Sequence, residues 1–210
     1  MKTLLTILAI SLLASTAFGQ LVITGVIDGP LTGGVPKAVE FCAVMDIADL
    51  SEYGVGCANN GGGTDGEEFT FPAVSVSAGT FFYLASEDVG FTNFFGFAPD
   101  YVSGLAAGTN GDDAIELFRN GEVVDVCGDI NMDGTGTDWD YLDGWIYRVS
   151  NTPDSPIFDV TMWTTSGINA LDGEVDNASA ATPFPLASYT YDPSVATEGE
   201  SLTAVKALFQ

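Results

Sequence analysis

The sequence predicts an all-β sandwich, and three observations predict it. Short runs of β-branched and aromatic residues recur along the chain, several of them alternating apolar and polar. Clusters of Gly, Pro, Asn and Asp separate these runs at short intervals. No stretch before the C-terminal tail carries the three-turn apolar periodicity of an amphipathic helix. At 210 residues the chain has room for one domain with a sizeable core, or two small ones.

Residues 1–19 read as a secretory signal. Lys2 supplies the positive start, residues 4–13 the apolar run, and Ala17 and Gly19 the small residues before a cut at Gln20. That run is too short to span a bilayer and no other stretch is long enough. The expectation is a secreted, extracellular protein with no membrane span. Residues 21–27 (LVITGVI) form a first strand, ended by Asp28-Gly29-Pro30. Residues 37–44 (KAVEFCAV) form a second, with Val39, Phe41 and Ala43 facing inward and Glu40 and Cys42 on the other face. A turn at Asp49-Leu50-Ser51 leads to a strand at residues 53–55. Residues 59–66 (NNGGGTDG) are a loop, without the Lys-Ser/Thr and following helix of a phosphate cradle.

Residues 67–71 (EEFTF) and 80–85 (TFFYLA) give two more strands, the second aromatic enough to lie centrally. Phe91, Phe94, Phe95, Phe97 and Tyr101 then cluster. Such a cluster is either a carbohydrate platform or a satellite core beneath a long loop, and the second is the expected role. The clearest local signal follows. Ile115 and Leu117 alternate with Glu116 and Phe118, and Val124 and Val126 with Asp125 and Cys127, around Asn120-Gly121. An Asn-Gly pair between alternating runs marks a β-hairpin, because a type I′ turn needs two residues that tolerate φ > 0. Residues 145–149 and 158–165 complete the strands. Asn177-Ala178-Ser179 is an acceptor sequon for N-glycosylation in a eukaryotic host. The domain is bounded at residues 20–188, with residues 189–210 a tail that is either frayed or a docking segment.

Charge excludes several function classes. Signal cleavage removes Lys2, one of 5 basic residues, and none of the 29 acidic ones, taking the formal charge from −24 to −25. Such a surface repels phosphate backbones and anionic membranes, so no nucleic acid is expected to bind through this domain alone. Cys42, Cys57 and Cys127 all lie in the exported part, where a disulfide is permitted. Three pairings are open, one thiol is left over, and no C-x-x-C pair supports a redox or zinc motif.

One segment has the spacing of a metal site. Asp129, Asn131 and Asp133, with Gly134 in the sixth place and Asp140 in the twelfth, follow the spacing of a calcium loop. In that reading Asp129, Asn131 and Asp133 bind Ca2+ through side chains, Thr135 through its carbonyl, Thr137 holds a water, Gly134 takes the sharp turn and Asp140 closes the shell. The competing reading is a structural turn, since Asp and Asn cap their own backbone, the closing residue is not the longer Glu, and no helix flanks the loop. Catalysis finds little support. The chain has no histidine to serve a serine nucleophile. The acidic pairs Asp112/Asp113 and Glu67/Glu68 are sequence neighbours, which point to opposite faces of a strand. The chain is read as not an enzyme.

Several segments in order resemble the lamin-tail domain: LVITGVIDG from Leu21, AVEFCAV from Ala38, DIADLSEYGV from Asp46, EEFTFPAVSVSAGTFFYLAS from Glu67, GDDAIELFRNGEVVDVCGD from Gly111 and WDYLDGWIYR from Trp139. The resemblance covers residues 21–187 and is closest to bacterial-type versions in secreted proteins, some of them ahead of an extracellular nuclease. It implies an immunoglobulin-like sandwich and an accessory, non-catalytic role. The three cysteines depart from the pattern, and the export signal argues against the nuclear role of lamins. The function expected is a secreted binding or adhesion module, calcium-stabilised through the acidic loop, with an extracellular protein or glycan as partner. The alternatives are a structural protein of an extracellular matrix or surface layer, and an accessory to a secreted nuclease or other hydrolase.

Overall fold

The first two strands show how the chain builds its layers. The computed structural model describes residues 19–192; the signal reading on residues 1–18 and the tail from residue 193 lie outside them. Strand β1 (Leu21–Leu31) pairs antiparallel with β2 (Val35–Ala43). Ile23 pairs with Phe41 and Gly25 with Glu40, which leaves Thr24 as the extra residue of a β-bulge. Leu21 and Ile23 enter the core between the sheets before the bulge and Val26 does after it, while Ile27 turns to the opposite face. Strict alternation from Leu21 would send Ile27 inward. The strand also runs through Asp28-Gly29-Pro30, where the sequence predicts its end, and closes at Leu31 opposite Val35.

The remaining elements are β3 (Tyr53–Ala58), β4 (Phe69–Thr70), β5 (Phe81–Ala85), helix α1 (Asp88–Phe95), β6 (Tyr101–Val102), β7 (Ala114–Arg119), β8 (Glu122–Cys127), β9 (Trp145–Arg148) and β10 (Trp163–Thr165). They form a six-stranded sheet of order β10-β9-β1-β2-β5-β6 and a four-stranded sheet of order β4-β3-β7-β8. Pairings are antiparallel except for β5 with β6. The predicted strands at residues 67–71 and 158–165 shorten to Phe69–Thr70 and Trp163–Thr165, and a 3-10 turn, Val160–Met162, precedes the latter. The Asn120-Gly121 hairpin forms with φ of 52° and 81°, the positive pair a type I′ turn requires.

The core lies between the two sheets. Val39, Phe41 and Leu84 of one sheet meet Tyr53, Val55, Ile115 and Leu117 of the other. Phe41 stacks on Phe82 at 5.4 Å between ring centroids, with Phe71 edge-on at 5.5 Å from Phe41. The architecture is an all-β, sandwich-like fold, and among the described residues no helix is long and apolar enough to cross a membrane.

The six-stranded sheet buries its outer face too. Helix α1 and the irregular chain from Leu171 to Tyr191 pack there over Val22, Ile27, Cys42 and Tyr83. Glu87 caps α1 by accepting from the amides of Gly90 and Phe91, and Gly96 ends it at φ 79°. The sequence predicts no helix here, because two turns are too few to show a period. Phe91 and Phe94 are buried in this second cluster, with Phe95 and Phe97 against Phe91 at 4.7 and 5.4 Å, whereas Tyr101 joins the inter-sheet core. Most of the aromatic segment packs as a core, with Phe97 38% exposed at its edge. Tyr189 is buried in the same cluster and its hydroxyl donates to the Thr152 carbonyl, so the packed chain runs past the boundary drawn at residue 188.

Candidate functional site

The acidic loop after β8 turns its carboxylates onto its own backbone. Asp129 Oδ1 accepts from the Asn131 amide at 2.9 Å, and Asp133 Oδ1 from the Thr135 amide at 2.9 Å. Asp140 accepts from the amides of Gly136 at 2.7 Å and Leu142 at 3.1 Å. The Thr135 hydroxyl donates to Asp112, a residue outside the predicted set. Gly134 is needed for a different reason from the one expected. The positive φ of 73° belongs to Gly136, whereas a Cβ on Gly134 would stand 2.6 Å from the Trp139 ring and 2.8 Å from the Asp112 carbonyl. Among the described residues no three Asp, Glu, Cys or His side chains come together as a metal shell. As placed, Asp129, Asn131, Asp133, Thr135 and Asp140 build a tightly capped turn.

That turn forms one wall of an open groove of about 570 Å³. Met132 and Trp139 line it from the acidic loop, and Ile157, Phe158 and Val160 from the segment before β10. Ile157 is 76% exposed and Met132 50%, a large fraction for apolar side chains that line one groove. Trp139 is held edge-on to Phe158, with centroids 5.6 Å apart. Asp129, Asp138 and Asp159 lie on the same lining, and no basic residue does. Lys37, Arg119 and Arg148 are each committed to an ion pair elsewhere, with Asp28, Glu52 and Asp125. A smaller hollow of about 170 Å³ adjoins the groove past Ile157 and Phe158 toward Ile130 and Pro156. Sequence reading missed the groove because its two walls lie some distance apart along the chain, and Phe158 reads as the start of a strand.

The other predicted positions are structural in their placement. Cys42, Cys57 and Cys127 are buried and free, none of them paired with another. Burial pushes the Cys42 thiol up to about 11 and the other two higher still, so none is poised as a nucleophile. Asn177 is 7% exposed; its Nδ2 donates to the Phe184 carbonyl at 3.1 Å and its Oδ1 accepts from the Phe184 amide at 2.7 Å. That side chain is a clamp on the outer segment, with its amide nitrogen engaged at the Phe184 carbonyl. Asp112 and Asp113 lie in the bend before β7 rather than in a strand, and their carboxyls take separate partners. Asp112 meets Thr135, while Asp113 accepts from the amides of Asn60 and Asn110.

The carboxylates fall into two groups whose acidities move apart. Burial raises the pKa of Asp28, Glu40, Asp112, Glu116 and Asp154. Hydrogen bonds from neighbouring hydroxyls and amides lower those of the exposed caps Asp49, Asp133, Asp159 and Asp176. A raised carboxyl holds its proton more tightly folded than unfolded. Its contribution to stability is therefore complete below the ordinary value, 4.5 for Glu40, and is lost as pH rises through the folded value. A lowered one contributes above the ordinary 3.8 and loses that contribution as pH falls through its depressed value. Neutralising part of the net charge acts in the same direction as the raised group. Calorimetry should show Tm rising by a few degrees from pH 7 to about 5, then falling below about 3.8. A steady loss from pH 7 downward would contradict this.

No protein-family model matches the chain, and no curated protein or solved structure matches it. The class is set by fold and site alone: an all-β, two-sheet protein bearing an apolar groove with an acidic rim.

Proposed function

We propose that the chain is a secreted, non-catalytic binding module of lamin-tail type, with an immunoglobulin-like sandwich as scaffold and the groove beside Trp139 as its contact surface. The observation that carries the reading is the groove itself. Exposed Ile157 and Met132 offer apolar contact, and Asp129, Asp138 and Asp159 surround it without a basic residue. Exposed apolar surface bounded by polar groups marks interaction sites, and a rim of one sign selects its partner by charge. The partner that fits is an extracellular protein segment with apolar anchors flanked by Lys or Arg. The lamin-tail assignment draws on the order of the resembling segments and on the two-sheet architecture.

Isothermal titration of the mature protein with a Lys-flanked Leu/Phe peptide tests the reading. Binding should weaken at least about tenfold in Ile157→Asp, the loss of one central apolar contact. Because Ile157 is 76% exposed, the variant should melt with wild type. Equal affinity in the two proteins, or tight binding of neutral oligosaccharides with none of the peptide, removes this reading.

A further inference from the structure

The molecule buries four carboxylates deeply in the strands of its two sheets, and it treats one of them differently. Asp28 is 2% exposed and accepts from Lys37 and the Asp143 amide. Glu40 is 1% exposed and accepts from Thr24, Tyr83, Tyr147 and the Ala187 amide. Asp125 is 0% exposed and meets Arg148 and two backbone amides. Glu116, also 0% exposed, has neither carboxylate oxygen in a well-formed hydrogen bond, with the Thr64 hydroxyl alone beside it. A buried carboxylate left without partners is costly enough that native proteins neutralise it, with a proton or with a cation.

The surroundings favour a cation. Glu116 sits mid-strand in β7 between Gly56 of β3 and Val126 of β8. Its neighbours Ile115 and Leu117 enter the inter-sheet core, which puts Glu116 on the outer face of the four-stranded sheet. The glycine-rich loop 59–66 crosses that face so closely that a Cβ on Gly56 would stand 2.3 Å from the Gly66 carbonyl oxygen. The charged groups around Glu116 are Asp65 and Glu68, both acidic, and Thr64 is the hydroxyl beside it. Glu68 is anchored by accepting from the Cys57 amide at 3.0 Å, whereas Thr64 and Asp65 are exposed on the loop. The donor set is all oxygen, which suits a hard divalent ion of calcium type over zinc or copper.

We propose that Glu116, with Glu68 and Asp65 of the overlying segment, binds a calcium-type divalent cation between the sheet and the loop. The three carboxylates do not already form a shell. Closing one requires the exposed loop side chain to turn inward over the fixed strand residue, so binding and ordering of the loop are coupled. The site is separate from the groove and from the 129–140 turn, and does not rest on the binding-module reading.

The test is calcium titration of the mature protein at pH 7.5, read by Tm against an EDTA baseline and by Tb3+ luminescence. Wild type should gain Tm with calcium. Glu116→Gln, which keeps shape and removes charge, should lower affinity at least about tenfold, as should Glu68→Gln, while Asp133→Ala should keep the wild-type response. If Asp133→Ala loses the response and Glu116→Gln keeps it, the ion belongs to the 129–140 turn and the proposal is overturned. It is equally overturned if wild type ignores calcium, and Glu116→Gln melting at or above wild type would then show that Glu116 carries a proton.

Discussion

Replacing Asp125 with alanine should cost about 3–5 kcal/mol of folding stability, the penalty of leaving a buried guanidinium without its counter-charge. Arg148 is sealed off on every side. Its Nη2 reaches both Asp125 oxygens at 2.7 and 2.6 Å, its Nε donates to the Ile23 carbonyl and its Nη1 to Pro153, and its guanidinium lies 4.4 Å over the Trp163 ring. Asp125 in turn accepts from the amides of Ile23 and Ser155. The pair joins β8 of one sheet to β1 and β9 of the other. A guanidinium does not release its proton, so deleting the carboxylate leaves charge with no water to solvate it. The double variant Asp125→Leu/Arg148→Met removes both charges and should recover a good part of the loss. Urea unfolding of the three proteins measures both quantities. A single variant within about 1 kcal/mol of wild type would show that the pair is not closed off from solvent.

The second large effect is expected at Glu40. Its four donors come from the β1 bulge (Thr24), from β5 (Tyr83), from β9 (Tyr147) and from the irregular segment (Ala187). Tyr147 also accepts from the amides of Ser188 and Tyr189, so the carboxylate and this hydroxyl dock residues 187–189 together. Glu40→Ala leaves the Ala187 amide and the Tyr83 and Tyr147 hydroxyls without this acceptor, while Thr24 keeps the Glu40 carbonyl at 3.2 Å, and it opens a cavity, for a loss of about 3 kcal/mol or more. Glu40→Gln keeps the shape and one accepting oxygen, and should lose about 1 kcal/mol. Hydrogen exchange separates this from general destabilisation. In Glu40→Ala the amides of Ala187, Ser188 and Tyr189 should lose protection before those of β3 and β7. Uniform loss across both sheets would show that the segment is not held through Glu40.

What sequence made legible was what local chemistry decides. Asn120-Gly121 had to be a turn, and Val39, Phe41 and Ala43 had to share a face, because a period of two in a β-branched run leaves few other arrangements. Glu40 was placed on the correct face but reads as solvent-exposed, since the chain covering it follows far downstream and has no period of its own. The bulge at Thr24 reverses the parity of β1 and no composition signals it. Asp125 reads as the polar member of an alternating strand, yet it is fully buried. The acidic spacing of residues 129–140 fits a calcium loop and a self-capped turn equally well, and the side chains cap the turn. Glu116 is legible as a strand residue alone, and its burial beneath so few hydrogen-bond donors is a property of the loop that folds over it.

The central claim is that the groove between residues 129–139 and 157–160 is the contact surface. Amide chemical-shift mapping of the protein against a Lys-flanked Leu/Phe peptide tests it most directly. The shifts should gather at Met132, Trp139, Ile157 and Phe158, and should weaken without vanishing as salt screens the acidic rim. Shifts confined to another face, or absent from these residues at saturating peptide, would contradict the claim and leave the sandwich without an assigned site.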